Sequence, residues 1–136
     1  MQRISFAAKT DLTDLNHVLP WFNQVTEPYL PRTALIQCQT LLAEGFTNAV
    51  RHAHRGYATE TPIEIEVTLL EQQLEIRIWD YGQPFDLIHQ LEKLPERVDV
   101  SASSGRGLKL LKKIADRFEY SRFESDRNCL LIVKSY

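Results

Sequence analysis

Along this chain the spacing of apolar residues changes period, and each change marks an element. Residues Arg3 to Ala8 alternate in the manner of a short strand. Asp11 or Thr13 can then cap a helix running to about Glu27, with Leu12, Leu15, Val18, Leu19 and Phe22 along one buried face. Pro20 falls inside that helix. It lacks an amide donor and its ring crowds the preceding turn, so the sequence predicts a kink near Val18 to Trp21 or two shorter helical pieces. The run Glu27-Pro28-Tyr29-Leu30-Pro31 reads as a connector. From about Arg32 to His54 the residues Leu35, Cys38, Leu42, Phe46, Ala49, Val50 and Ala53 recur at three and four, the strongest helical pattern in the chain.

Two alternating segments come next, Ile63 to Leu70 and Gln73 to Trp79, separated only by Glu71-Gln72, and they predict a β-hairpin. The period is lost from Tyr81 to Ser104, a stretch holding Gly82, Pro84, Pro95 and a Ser-Ala-Ser-Ser tract. Loops of that length inside a domain are usually functional or partly disordered. A third helix is expected from Gly107 to Arg117, then strands near Phe118 to Phe123 and Cys129 to Ser135, with no internal repeat. The order β-α-α-β-β-loop-α-β-β predicts an α+β fold. It is a two-layer α/β sandwich with helices on one face of a largely antiparallel sheet.

Composition narrows the partners. A chain of 136 residues with 43% hydrophobic and 25% charged residues is expected to form one ordinary globular domain spanning 1–136. Sixteen Lys and Arg against eighteen Asp and Glu leave a net charge of -2 without a basic block, which argues against nucleic acid. No window approaches a bilayer span and the first residues lack the layout of a secretory signal, so no membrane association and a cytoplasmic location are expected. Cys38 and Cys129 have no second Cys or His at ligand spacing and read as reduced core thiols.

Three features carry candidate chemistry, each with a plain structural alternative. Glu44 and Asn48 lie four apart on the strong helix, hence on one face, and His52 continues the row. This is either a solvated face or a polar stripe looking into a pocket. In the second case the Asn48 amide oxygen suits Mg²⁺, and Glu44 one turn away can deprotonate a nucleophile. Asp80 ends a strand and Gly82 comes two residues on, within Asp80-Tyr81-Gly82-Gln83-Pro84-Phe85-Asp86. That is either an ordinary turn or a carboxylate set to accept the exocyclic amine of adenine, with glycine permitting close approach. Ser103-Ser104-Gly105-Arg106-Gly107-Leu108 leads into the third helix, either as a glycine-rich helix entry or as an amide cradle for phosphate oxygens. It matches neither a P-loop nor a dinucleotide turn.

The ordered set Glu44-x-x-x-Asn48-Ala49-Val50-Arg51-His52-Ala53, Asp80-x-Gly82-x-Pro84-Phe85-Asp86 and Gly105-Arg106-Gly107-Leu108 resembles the anti-sigma factor serine kinases of the GHKL ATPase superfamily, over nearly the whole chain. The resemblance implies the Bergerat type of ATP-binding fold. It also implies ATP and Mg²⁺ as cofactors, with Glu44 as catalytic base and Asn48 on the metal. Asp80 and Gly82 would then serve the adenine, and Gly105, Arg106, Gly107 and Leu108 the mobile phosphate edge. The implied activity is transfer of the γ-phosphate to a serine of an anti-anti-sigma partner. A sigma factor would be the competing partner, and homodimerisation is implied through the first strand and helix. Two alternatives stay open: an ATP-gated adaptor without kinase activity, and a histidine-kinase-like domain acting in trans. Arg51 and His52 are left without a role, and Asp86 is read as capping the acidic turn. Pro20, and Lys109 where related ATPases often have a small residue, depart from the pattern.

Overall fold

The computed structural model describes residues 2–82, 112–123 and 126–136. Five described strands make one antiparallel sheet: β1 (Gln2–Lys9), β2 (Pro62–Leu69), β3 (Gln73–Asp80), β4 (Arg117–Phe123) and β5 (Arg127–Ser135). Their order across the sheet is β1-β2-β3-β5-β4. The predicted hairpin is β2-β3, in register from Leu69 opposite Leu74 to Glu64 opposite Trp79. β5 then pairs with β3 from Gln73 opposite Ser135 to Asp80 opposite Asn128, which sets a polar pair at one end of two otherwise apolar strands.

Alternation explains the layers. Ile63, Ile65 and Val67 on β2, Leu74, Ile76 and Ile78 on β3, and Leu130 and Ile132 on β5 are buried in one cluster. The intervening Glu64, Glu66, Glu75 and Arg77 are half-exposed on the other face. Two helices cover the apolar face: α1 (Leu15–Thr26), which buries Val18 and Phe22, and α2 (Arg32–Asn48), which buries Cys38, Leu41, Leu42 and Phe46. This is the two-layer α+β sandwich expected from the element order. α2 runs close to the sheet at Gly45, where a Cβ would come within 2.5 Å of Ile78 Cδ1.

Three helix boundaries differ from expectation. Asp11 caps only a short 3₁₀ turn, Leu12–Asp14, accepting the Thr13 amide. α1 then runs from Leu15 to Thr26 as one element with Pro20 inside it. Pro20 is tolerated because Asn16, whose carbonyl loses its partner, is on the exposed side as Pro20 is, and water can serve that carbonyl. The strong helix does not stay α-helical to His54. It changes after Asn48 into a π-helical turn, Ala49–Ala53, closed by the His54 amide donating to the Ala49 carbonyl at 2.8 Å.

The third helix also ends earlier than Arg117. Residues 112–114 are helical, but the Asp116 amide bonds the Val133 carbonyl and Arg117 already opens β4. Rejoining the sheet outbids one more turn of helix. The start predicted for that helix at Gly107 lies outside the described residues. No described helix is long and apolar enough to cross a membrane.

Candidate functional site

The end of α2, the π-helical turn and the end of β3 meet at one edge of the sandwich. Asn48, the last residue of α2, is 8% exposed, which removes it from the solvated face that spacing alone allowed. Glu44 one turn earlier is half-buried. The stripe stops there. The extra residue per turn in Ala49–Ala53 rotates the chain beyond Asn48, and His52 is exposed rather than continuing the row. A cavity of about 10 Å³, room for one water, lies between α2 and β3 and is lined by Gly45, Asn48, Ile78, Asp80 and Tyr120. The Asn48 Nδ2 has no hydrogen-bond partner among the described residues although it is buried. A buried amide nitrogen of this kind is costly unless something bonds it.

Asp80 is 3% exposed and none of its oxygens is idle. Oδ1 accepts the Gly82 amide at 3.0 Å and Asn128 Nδ2 at 2.7 Å, while Oδ2 accepts the Tyr120 hydroxyl at 2.9 Å. The bond back from Gly82 is an Asx turn, so the ordinary-turn reading of Asp-x-Gly is correct as local structure. It does not exhaust the feature, because the carboxylate is also buried and held from two further strands. Burial, then the charge of Asp80 and the bond to it, hold the Tyr120 hydroxyl well above its ordinary pKa, so Tyr120 is the donor.

Gly82 is required by contact rather than by backbone angle. A Cβ there would stand 2.0 Å from the Ala53 carbonyl oxygen, so the turn after β3 rests directly on the π-helical turn. The Gly82 carbonyl accepts Asn128 Nδ2 at 3.0 Å and Arg122 Nη1 at 2.8 Å. Tyr120 and Arg122 are alternate residues of β4, so one edge strand reaches both Asp80 and Gly82.

His54 braces the same turn from the other side and is 1% exposed. The Tyr81 amide donates to its Nε2 at 2.8 Å. Its Nδ1 stands 2.8 Å from Thr10 Oγ1, whose own proton goes to the Thr61 carbonyl. These partners leave one consistent assignment, a neutral imidazole with the proton on Nδ1. Burial lowers the His54 pKa, against an opposing pull from Asp80.

The structure thus brings Asn48, Asp80 and Gly82 to one edge, and Glu44 stands one helical turn before Asn48. Gly105, Arg106, Gly107, Leu108 and Asp86 lie outside the described residues. Sequence reasoning missed Tyr120, Asn128, Arg122 and His54. Asn128 carried a signal, a polar residue opening an apolar run; Tyr120 carried only its place in an alternating strand.

The chain matches the histidine kinase-like ATPase domain over residues 8–134, and it belongs to that family. Among curated proteins it is 33% identical over 84 residues to the serine-protein kinase RsbW of Bacillus pumilus, covering 57% of this chain and 52% of that one. It is 28% identical over 88 residues to RsbW of Listeria monocytogenes, covering 61% and 55%. The matched stretch spans about half the length of these curated relatives. Its fold is also similar to part of a solved chain that holds the RsbU and RsbW domains of Rv1364c from Mycobacterium tuberculosis. There the TM-score is 0.64 at 13% identity, over 99% of this chain and 32% of the other. A histidine kinase domain from Erythrobacter litoralis matches with a TM-score of 0.53 at 15% identity, over 91% of this chain and 60% of that one.

Proposed function

We propose that the chain is an ATP-dependent serine kinase of the anti-sigma type, which phosphorylates a serine of an anti-anti-sigma partner and binds a sigma factor. One observation carries the nucleotide half of this reading. Asp80 is a buried carboxylate at a strand end, fixed by three donors and separated from the Asn48 amide by a small cavity. A carboxylate so fixed suits the exocyclic amine of adenine, and Gly82 keeps the backbone close without a side chain in the way. Similarity to serine-protein kinases RsbW supports the choice of acceptor.

Asn48 fits the metal role in part: its amide is buried beside the cavity and offers one neutral oxygen. Mg²⁺ usually takes few protein ligands and completes its shell with phosphate oxygens and waters. Bound there, it would neutralise phosphate charge. Glu44, one turn before Asn48 and half-buried, is assigned the proton of the attacking serine hydroxyl. The serine oxygen bonds the γ-phosphorus, the bond to the β–γ bridging oxygen breaks, and ADP leaves. Gly105, Arg106, Gly107 and Leu108 are assigned to the phosphate edge by their motif. Homodimerisation through β1 and α1, and a cytoplasmic location, belong to the same proposal.

The test is incubation with γ-labelled ATP, Mg²⁺ and a candidate serine partner protein. Acid-stable label on the partner, lost in Glu44→Ala while ATP still binds, is the expected result. ATP binding without transfer would make the chain a nucleotide-gated adaptor, and acid-labile label would make it a histidine kinase acting in trans.

A further inference from the structure

The hydrogen bonds around Asp80 can be counted, and the count singles out Tyr120. A carboxylate has about four acceptor positions, two on each oxygen. Oδ1 uses both of its positions, on the Gly82 amide and on Asn128 Nδ2. Oδ2 uses one, on the Tyr120 hydroxyl, and has one left. Asn128 cannot swing away freely, because its Nδ2 also bonds the Gly82 carbonyl and its Oδ1 accepts Arg122 Nη1 at 3.2 Å. The plane of the carboxylate is therefore set on the Oδ1 side by β5 and on the Oδ2 side by Tyr120 alone.

We propose that Tyr120 is a positioning residue for base selectivity: by occupying one side of Asp80 Oδ2, it leaves a single aimed acceptor position that matches one N–H of an exocyclic amine. This rests on the reading of Asp80 as the base-binding carboxylate and adds to it the residue that gives that carboxylate its direction. Without the hydroxyl, Oδ2 would have two open positions, and water could take either. The amine would then have to displace a solvent molecule from a carboxylate no longer held in plane. A purine lacking the amine gains nothing from Asp80 in either protein. It also suffers in the native site, where it strands the aimed position without a donor. Burial, together with the neighbouring Asp80 charge, keeps the phenol protonated, so the donor is present at any pH at which the protein works.

The deciding measurement is calorimetric titration of wild type and Tyr120→Phe with ATP and with purine riboside 5′-triphosphate, which lacks the 6-amino group. Phe keeps the ring that packs against the core and removes only the hydroxyl. Wild type is expected to prefer ATP. In Tyr120→Phe the ratio of the two affinities is expected to fall roughly tenfold, the size of one hydrogen bond to a charged group. Most of that fall should come from weaker ATP binding. Partial unfolding would lower both affinities together and leave the ratio intact, so the ratio separates selectivity from fold. A ratio unchanged in Tyr120→Phe overturns the role of Tyr120 while leaving Asp80 as the base site. Wild type that shows no preference for ATP overturns the base-site reading itself, and the proposal falls with it.

Discussion

His54 Nε2 accepts the backbone N–H of Tyr81 at 2.8 Å, and this one bond joins the end of the helical layer to the turn that carries Asp80. It exists only while the imidazole is neutral, because a protonated Nε2 would face the Tyr81 N–H donor to donor. Thr10, whose Oγ1 accepts a hydrogen bond from Nδ1–H, and the rings of Tyr57 and Tyr81, at 5.0 and 6.4 Å, complete the described surroundings. Asp80 is the charge that acts on the ring.

The neutral ring gives stability a pH dependence of definite sign. Burial depresses the folded-state pKa of His54 below the ordinary value of about 6.5. The contribution of the neutral ring to stability is therefore complete above that value. It is lost as pH falls, because the unfolded chain takes up the proton first, and the loss ends below the folded pKa. The midpoint of thermal unfolding should be level above pH 7 and decline as pH falls below about 6.5. His54→Gln should be less stable at pH 7 by about 1 to 3 kcal/mol and should show a shallower decline over that range. Equal slopes in the two proteins would remove His54 from the account.

Two glycines that both sit against neighbours should respond differently to the same change. The Cβ of Gly82→Ala would strike the Ala53 carbonyl, a backbone atom with nowhere to move, and the expected cost is about 3 kcal/mol or more. At Gly45 the obstacle is the tip of the Ile78 side chain. Alanine also gains about 1 kcal/mol of helix propensity there. Gly45→Ala should therefore cost no more than about 2 kcal/mol. Urea unfolding of both variants measures the difference, and a reversed order would show that the contact with Ala53 is soft.

Replacing Asp80 by Asn should separate folding from nucleotide binding. The amide oxygen of Asn can still accept from Gly82 and Asn128, and the Tyr120 hydroxyl can rotate to accept from the new nitrogen. Thermal stability should change by within about 1 kcal/mol, since each buried group keeps a partner. ATP affinity should fall roughly 30- to 150-fold, because the amine now meets a donor where it needs an acceptor. Calorimetric titration beside a melting curve checks both halves.

The two thiols should be silent in the native protein. Cys38 and Cys129 are buried and each is pushed up to about 12 by that burial, so little thiolate exists at neutral pH. A colorimetric disulfide reagent at pH 8 is expected to label neither thiol until denaturant is added, and both afterwards. Prompt labelling of the folded chain would contradict the buried placement.

The sheet and the helical layer were legible because burial on one face forces a period, two on the strands and near 3.6 on α1 and α2. The meeting of Asn48, Asp80 and Gly82 was legible because their types and spacing are tied to local geometry. The hidden residues depend on contacts distant in sequence. Tyr120 lies forty residues beyond Asp80 and bonds it only because β4 and β3 both flank β5. Spacing put His52, not His54, in line with Asn48, and only the π-helical turn placed His54 inside and His52 outside. Helix boundaries failed where the sheet competed for the chain, as at Asp116, or where solvent could serve a freed carbonyl, as at Asn16.

The direct rest of Gly82 on the Ala53 carbonyl bears on how such a chain can change length over descent. A deletion inside Ala49–Ala53 would restore plain α register, rotate that carbonyl away from the turn and carry His54 out of reach of Tyr81. An insertion would do the same in the other sense. Loops elsewhere in the fold can lengthen at small cost, but the step from Asn48 to His54 behaves as a ruler whose length cannot change without losing both contacts.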